Sequence, residues 1–146
     1  MENKTSIFKK LNDIQKEVKT MKKEGTNTHG KYNYLSDNQI ISNFKKLLEK
    51  HKVKFLPTQQ ELVNVSDSPS GKQKIYTIRQ YYMFVDLETG DEFVGSMCGS
   101  GSDATDKGIF KATTGAIKYI FIKTFLIPTE DDPENDNTKL PTIEAF

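Results

Sequence analysis

The stretch from Gly95 to Leu126 constrains the fold of this chain more than any other. A run of small residues, Gly99-Ser-Gly-Ser102, passes into a helical pattern. Ser102, Asp103 and Thr105 each carry a side-chain oxygen that can accept from the orphan amides of a first turn. The spacing therefore predicts a loop at Gly99–Ser102 and a helix from about Thr105. Projected at about 100° per residue, Ile109, Phe110, Ala112, Thr113, Ala116, Ile117, Ile120 and Phe121 fill one apolar arc. Lys107, Lys111 and Lys118 fall within about 40° of one another elsewhere on that projection. Such a helix presses one face onto something apolar and holds three ammonium groups outward. Thr114 and Gly115, beside the lysines, leave room for a backbone or ligand to come close. No carboxylate occurs between Asp106 and Glu130, so the acidic partners that commonly share an exposed helical face are missing along it. A solvated lysine face and a binding stripe both fit this pattern.

What the helix covers is read from the segments before it. Lys74 to Leu87 is rich in β-branched and aromatic residues. Strand alternation puts Tyr76, Ile78, Tyr82 and Phe84 on one face and Thr77, Arg79 and Tyr81 on the other, the second set forming an aromatic and basic surface. Glu88-Thr-Gly-Asp91 turns the chain, and Glu92 to Met97 returns antiparallel. Val53–Pro57 and Glu61–Val65 read as one interrupted or bulged strand, because Pro57 has no N–H for the ladder. Ser66 to Gly71 is a loop signal.

Two further helices precede the strands. Ile7, Leu11, Ile14, Val18 and Met21 recur at helical spacing from about Ser6 to Lys23, with Gly25 as the stop. The lysines on its other faces suit a helix docked on the core or on a neighbouring subunit. Ser36 or Asp37 caps the second, which carries Ile40, Ile41, Phe44, Leu47 and Leu48 inward and ends near His51, a partner for the helix dipole. Between them, Lys31-Tyr32-Asn33-Tyr34 reads equally as a half-buried extended segment or as a platform where bases stack beside a phosphate contact. Pro128 is expected to end the last helix. Thr129–Phe146, with Glu130, Asp131, Asp132, Glu134 and Asp136, is expected to be a mobile acidic tail. The predicted organisation is one α+β domain over 1–128, an antiparallel sheet with a β-β-β-α core and a long helix packed across it, plus a tail over 129–146.

Composition narrows the chemistry. A net charge of +1 means that any affinity for a polyanion comes from local segregation of charge. Cys98 is the sole cysteine and the histidines are His29 and His51, which provides neither an internal disulfide nor a metal-ligand set. The polar start Met-Glu-Asn-Lys has no apolar run for a signal peptide or a membrane span, so a cytoplasmic protein without membrane contact is expected. Gly99-Ser-Gly-Ser-Asp-Ala104 imitates the dinucleotide fingerprint, but too little chain follows for the required βαβ unit, and Asp103 and Asp106 put carboxylates where a pyrophosphate would sit. The phosphate-loop pattern fails because Asp106 stands where the glycine before Lys107 is needed. With no nucleophile–base pair and no paired carboxylates, no enzyme and no cofactor are expected.

The order of helix, Lys31-Tyr32-x-Tyr34, helix, antiparallel strands, small-residue run and a helix bearing Ala112-x-Thr114-x-x-x-Lys118-Tyr119 resembles the Erf (essential recombination function) family of phage single-strand annealing proteins. More distantly it is similar to eukaryotic strand-annealing proteins of recombination. The similarity covers roughly Ser6 to Pro128. It implies an ATP-independent protein of the host-cell cytoplasm that binds single-stranded DNA and pairs complementary strands. It further implies rings or other homo-oligomers with DNA in a basic groove between sheet and helix. Family members often show two adjacent basic residues before the tyrosine. Here Ile117 precedes Lys118, which leaves Lys107, Lys111 and Arg79 to contribute. The residues expected at DNA are Lys107, Lys111, Lys118, Tyr119, Arg79, Tyr81, Lys31, Tyr32 and Tyr34, the last two and Tyr81 by stacking. Two alternatives stand beside annealing: a coating protein, or a regulatory protein that reaches a host replication or recombination protein through the acidic tail.

Overall fold

The computed structural model of the chain describes residues 6–18, 25–27, 32–34 and 36–128, with side chains over 6–18 and 36–128. The elements in chain order are α1 (Ile7–Glu17), β1 (Gly25–Asn27), β2 (Tyr32–Tyr34), α2 (Asp37–His51), β3 (Val53–Asp67), β4 (Lys74–Asp86), β5 (Glu92–Asp103) and α3 (Gly108–Thr124). β1 and β2 form a short antiparallel pair, and β3, β4 and β5 form an antiparallel meander in that order. The chain is α+β with the expected β-β-β-α arrangement.

β3 runs from Val53 opposite Asp86 to Asp67 opposite Lys74. Its ladder breaks after Pro57, resumes at Gln60, and shifts again between Leu62 and Asn64. The bulged strand expected from Pro57 is thus present, as a proline without an N–H requires. Along β4 the alternation holds: Ile78, Tyr82 and Phe84 are buried, and Gln80 joins them on that face. Gln60 makes this buried amide affordable to the fold, donating from Nε2 to Gln80 Oε1 (3.0 Å) and to Thr113 Oγ1 (2.7 Å). That chain of amides ties α3 to β3 and β4.

β5 differs from the sequence expectation. Gly99–Ser102, predicted as a loop, continues the strand, paired through Gly99 opposite Ile78 and Gly101 opposite Tyr76. The glycines serve a close approach instead of a turn. A Cβ on Gly99 would stand 2.6 Å from the Ala112 carbonyl oxygen, and one on Gly101 would stand 2.5 Å from the Ala112 nitrogen. The helix lies so low on the strand that no side chain fits between them. Ile78, Ala112 and Ala116 fill the interface with small volumes.

None of the three predicted caps starts α3. It begins at Gly108, with Lys107 at the N-cap and no side-chain cap bond. Asp103 instead accepts from the Thr105 amide (2.7 Å) and hydroxyl (2.5 Å), folding the link between β5 and α3. At its other end α3 stops at Thr124, ahead of Pro128. Leu126 adopts φ 52° and the Ile127 amide donates to the Ile122 carbonyl (2.9 Å), a Schellman closure sealed by burial of both isoleucines.

The main core gathers α1, α2, the sheet and the second half of α3 around Ile7, Ile14, Ile40, Phe44, Phe84, Ile120, Phe121 and Phe125. Phe44 meets Phe121 and Phe125, each at 4.8 Å between ring centroids. Each such ring contributes about 1.5–3 kcal/mol by its removal from water. Of the two expected caps, Ser36 and Asp37, Ser36 is the one used, and it is joined reciprocally to Gln39. Ile41, expected inward, is 51% exposed, because α2 buries only the narrow line of Gln39, Ile40 and Phe44. α1 ends at Glu17, short of Lys23: Val18 is already extended at ψ 115°, and Glu17 is held by Lys50 and by His51 Nε2 (2.8 Å) at the end of α2. Lys19, Met21, Lys22 and Lys23 lie outside the described residues.

Candidate nucleic-acid interface

On a helix, residues three or four apart stack along one face, and Lys107, Phe110, Lys111, Thr114 and Lys118 follow that spacing from the N-cap of α3 along the helix. A second wall comes from the first turn of α2. Together they enclose an open cleft of about 820 Å³ lined by Ser36, Asp37, Asn38, Asp106, Lys107, Phe110, Lys111, Thr114, Gly115 and Lys118. The three lysines of the stripe therefore share one concave surface. Two helix starts, those of α2 and α3, also meet there, and their dipoles add positive potential.

The lysines are not without acidic neighbours. Lys111 Nζ reaches back to Asp103 Oδ2 at 2.6 Å and to the Ser102 carbonyl at 3.4 Å. Bonds from Lys111 first, and then from Thr105, hold the Asp103 carboxyl well below the usual carboxylate range. Burial pushes the Asp37 carboxyl up, against the pull of the Lys118 charge. These acidic neighbours lie upstream of α3 in the sequence, Asp103 brought in by the turn after β5 and Asp37 by α2.

The other expected residues go elsewhere. Arg79 and Tyr81 lie on the face of β4 opposite α3, where Arg79 Nη1 donates to Ser96 Oγ (3.3 Å) and Tyr81 donates to Glu61 Oε2 (3.3 Å). The sheet thus separates them from the lysine cleft. Tyr119 is half-buried against the main core. Lys31 and the side chains of Tyr32 and Tyr34 lie outside the described residues, while the backbone of 32–34 is the extended strand β2. The cleft is walled by α3 and α2, whereas the resemblance implied a groove between sheet and helix. Among the described residues, no three His, Cys, Asp or Glu side chains are grouped to hold a metal ion.

The family model described as the ERF superfamily matches residues 7–145. The chain belongs to the ERF superfamily. A search of curated proteins finds no match for it. For this ERF protein, membership carries a recombination role of the single-strand-annealing type at the level of the family, and nucleic acid as the general class of partner. No helix among the described residues is long and apolar enough to cross a membrane.

Phe110 and the α2 start are parts of the ERF cleft that the sequence did not reveal. Phe110 sits at the margin of the apolar arc, about 60° from Lys107 on the helical projection, and that marginal position was the available signal. It is 71% exposed and lines the cleft.

Proposed function

We propose that the cleft between α2 and α3 binds the sugar–phosphate backbone of single-stranded DNA, and that the protein anneals complementary strands without ATP or a catalytic group. The supporting observation is the convergence of Lys107, Lys111 and Lys118 on one concave surface in a chain of the ERF superfamily. Lysines grip phosphates without reading bases, so the strand is held by its backbone and its bases remain open to pairing. Three lysines give modest affinity, and contacts repeated along a strand accumulate and become steeply salt-dependent. The working form is therefore a homo-oligomer, a ring in this reading, acting in the host-cell cytoplasm. Both outer strands of the sheet, β3 and β5, leave an edge unpaired within the described chain, and β3 shows Leu62 and Val65 at its surface.

The test is the salt dependence of single-strand binding. Lys107→Ala and Lys118→Ala should each weaken binding and lower the slope of log affinity against log salt by about 0.7, the value for one phosphate contact on a single strand. Asp103→Asn should act oppositely, releasing Lys111 to a phosphate and steepening the slope. If all three variants match the parent in affinity and slope, the stripe is only a solvated face. Annealing of two labelled complementary strands separates this reading from a protein that coats without pairing.

A further inference from the structure

Phe110 is where the structure departs most from what an apolar residue on an amphipathic helix would do. Phe121, about 20° from it on the projected arc, is buried at 5% exposure, while Phe110 is among the most exposed large apolar side chains of the described residues. Single exposed apolar residues are ordinary on protein surfaces and by themselves mean nothing. This one is placed differently. It lines the same cleft as Lys107, Lys111 and Lys118, one helical turn after Lys107 and one before Thr114. Gly115 lines the cleft as well, and a Cβ built on it would meet nothing within 4 Å, so the cleft is open at that point of the helix too.

We infer that Phe110 is a stacking platform for one base of a single strand whose phosphates lie along Lys107 and Lys118. This rests on the reading of the cleft as a single-strand site, and it adds to that reading what the bases do. The charge of the cleft favours a polyanion, which an apolar protein partner would not satisfy. The ring favours a partner with a flat aromatic face to offer. A single strand supplies both at adjacent points of each nucleotide, whereas a duplex keeps its base faces covered by stacking. Every base has such a face, so the contact is tolerant of sequence, as annealing requires.

The chain contains no tryptophan, so Phe110→Trp places the only indole of the protein in the cleft, at a position exposed enough to accept it without disturbing the core. Its fluorescence is followed during titration with oligothymidylate and with an abasic strand of equal phosphate count. Binding of both strands is followed independently by anisotropy of a label on the DNA. The expected result is quenching by oligothymidylate and none by the abasic strand, although both bind. In parallel, Phe110→Leu should bind oligothymidylate about tenfold more weakly than the parent and the abasic strand equally well. Oligothymidylate that binds without quenching, quenching by both strands alike, or unchanged affinity in Phe110→Leu would each overturn the stacking role while leaving the basic cleft intact. If the parent binds neither strand, the single-strand reading falls and the stacking role with it.

Discussion

Gly99, Gly101 and Gly115 carry the same residue type and do unlike things. The first two have no room for a Cβ because α3 lies against them, and the third faces open space. Gly101→Ala should therefore force the helix off the strand and destabilise the protein by about 1–3 kcal/mol, the usual cost of overpacking. Gly115→Ala, in a helix interior with no contact to offend, should stabilise it by about 0.5–1 kcal/mol. Chemical denaturation of the two variants beside the parent checks both signs at once. Equal effects would mean that α3 does not sit as low on β5 as these distances require. Asp103 teaches a related lesson at the scale of one side chain. A helix cap was expected of it, and it instead folds the connection through Thr105 and binds Lys111.

At the scale of elements, α1 is tied to the β4–β5 turn by buried charge. Lys10 Nζ donates to Asp86 Oδ1 at 2.6 Å and to Glu88 Oε1 at 2.8 Å, and the Ile7 amide at the start of α1 donates to Asp91 Oδ2 at 2.8 Å. Asp86 is fully buried. Its burial works to raise the carboxyl, but the bonds from Lys10 and from the Glu88 amide outweigh this and bring it down to about 2. A carboxyl whose folded value lies below its unfolded value of about 3.9 contributes stability that is complete above that pH. The contribution is lost as the pH falls through the folded value. Glu88 and Glu17, both lowered by their cationic partners, act with the same sign. The thermal midpoint of the parent should therefore fall steeply between about pH 4 and pH 2, and that of Asp86→Asn less steeply. Lys10→Met should be destabilised at neutral pH, where it leaves a buried carboxylate without its cation. Identical pH profiles for parent and Asp86→Asn would remove the Lys10–Asp86 pair from this account.

Over the whole molecule, one face of the sheet carries α3, and the opposite face carries Arg79 and Tyr81. The strand edges remain unpaired within the described chain. Leu62, 53% exposed, and Val65, 44% exposed, stand on β3 at one of those edges. In the oligomeric reading this edge meets a neighbouring subunit. Leu62→Lys combined with Val65→Lys should then shift the solution mass toward the monomer. As surface changes they should alter stability by no more than about 0.5 kcal/mol each. Light scattering with and without single-stranded DNA, alongside denaturation, separates loss of assembly from loss of fold. An unchanged mass would direct attention to the β5 edge or to the helices.

The kind and order of most elements were legible in the sequence, because periods of 2 and 3.6 report directly which positions share an apolar face. The bulge after Pro57 was legible as well, since it follows from a missing N–H, and so was a cap for α2 at Ser36 or Asp37, of which the structure uses Ser36. What stands opposite each face came from the packing of the folded chain. Gly99 and Gly101 read as a turn because the absence of a Cβ suits a turn and a close approach alike, and only the seated helix distinguishes them. Phe110 read as core, Arg79 and Tyr81 read as sharing one DNA strand with the lysine stripe, and the stripe, Lys111 included, read as lacking acidic partners. In each case the pattern along the chain was right and the partner across space was not visible. Periodicity assigns a side chain to a face, while the identity of the surface that meets that face depends on contacts between residues far apart in sequence.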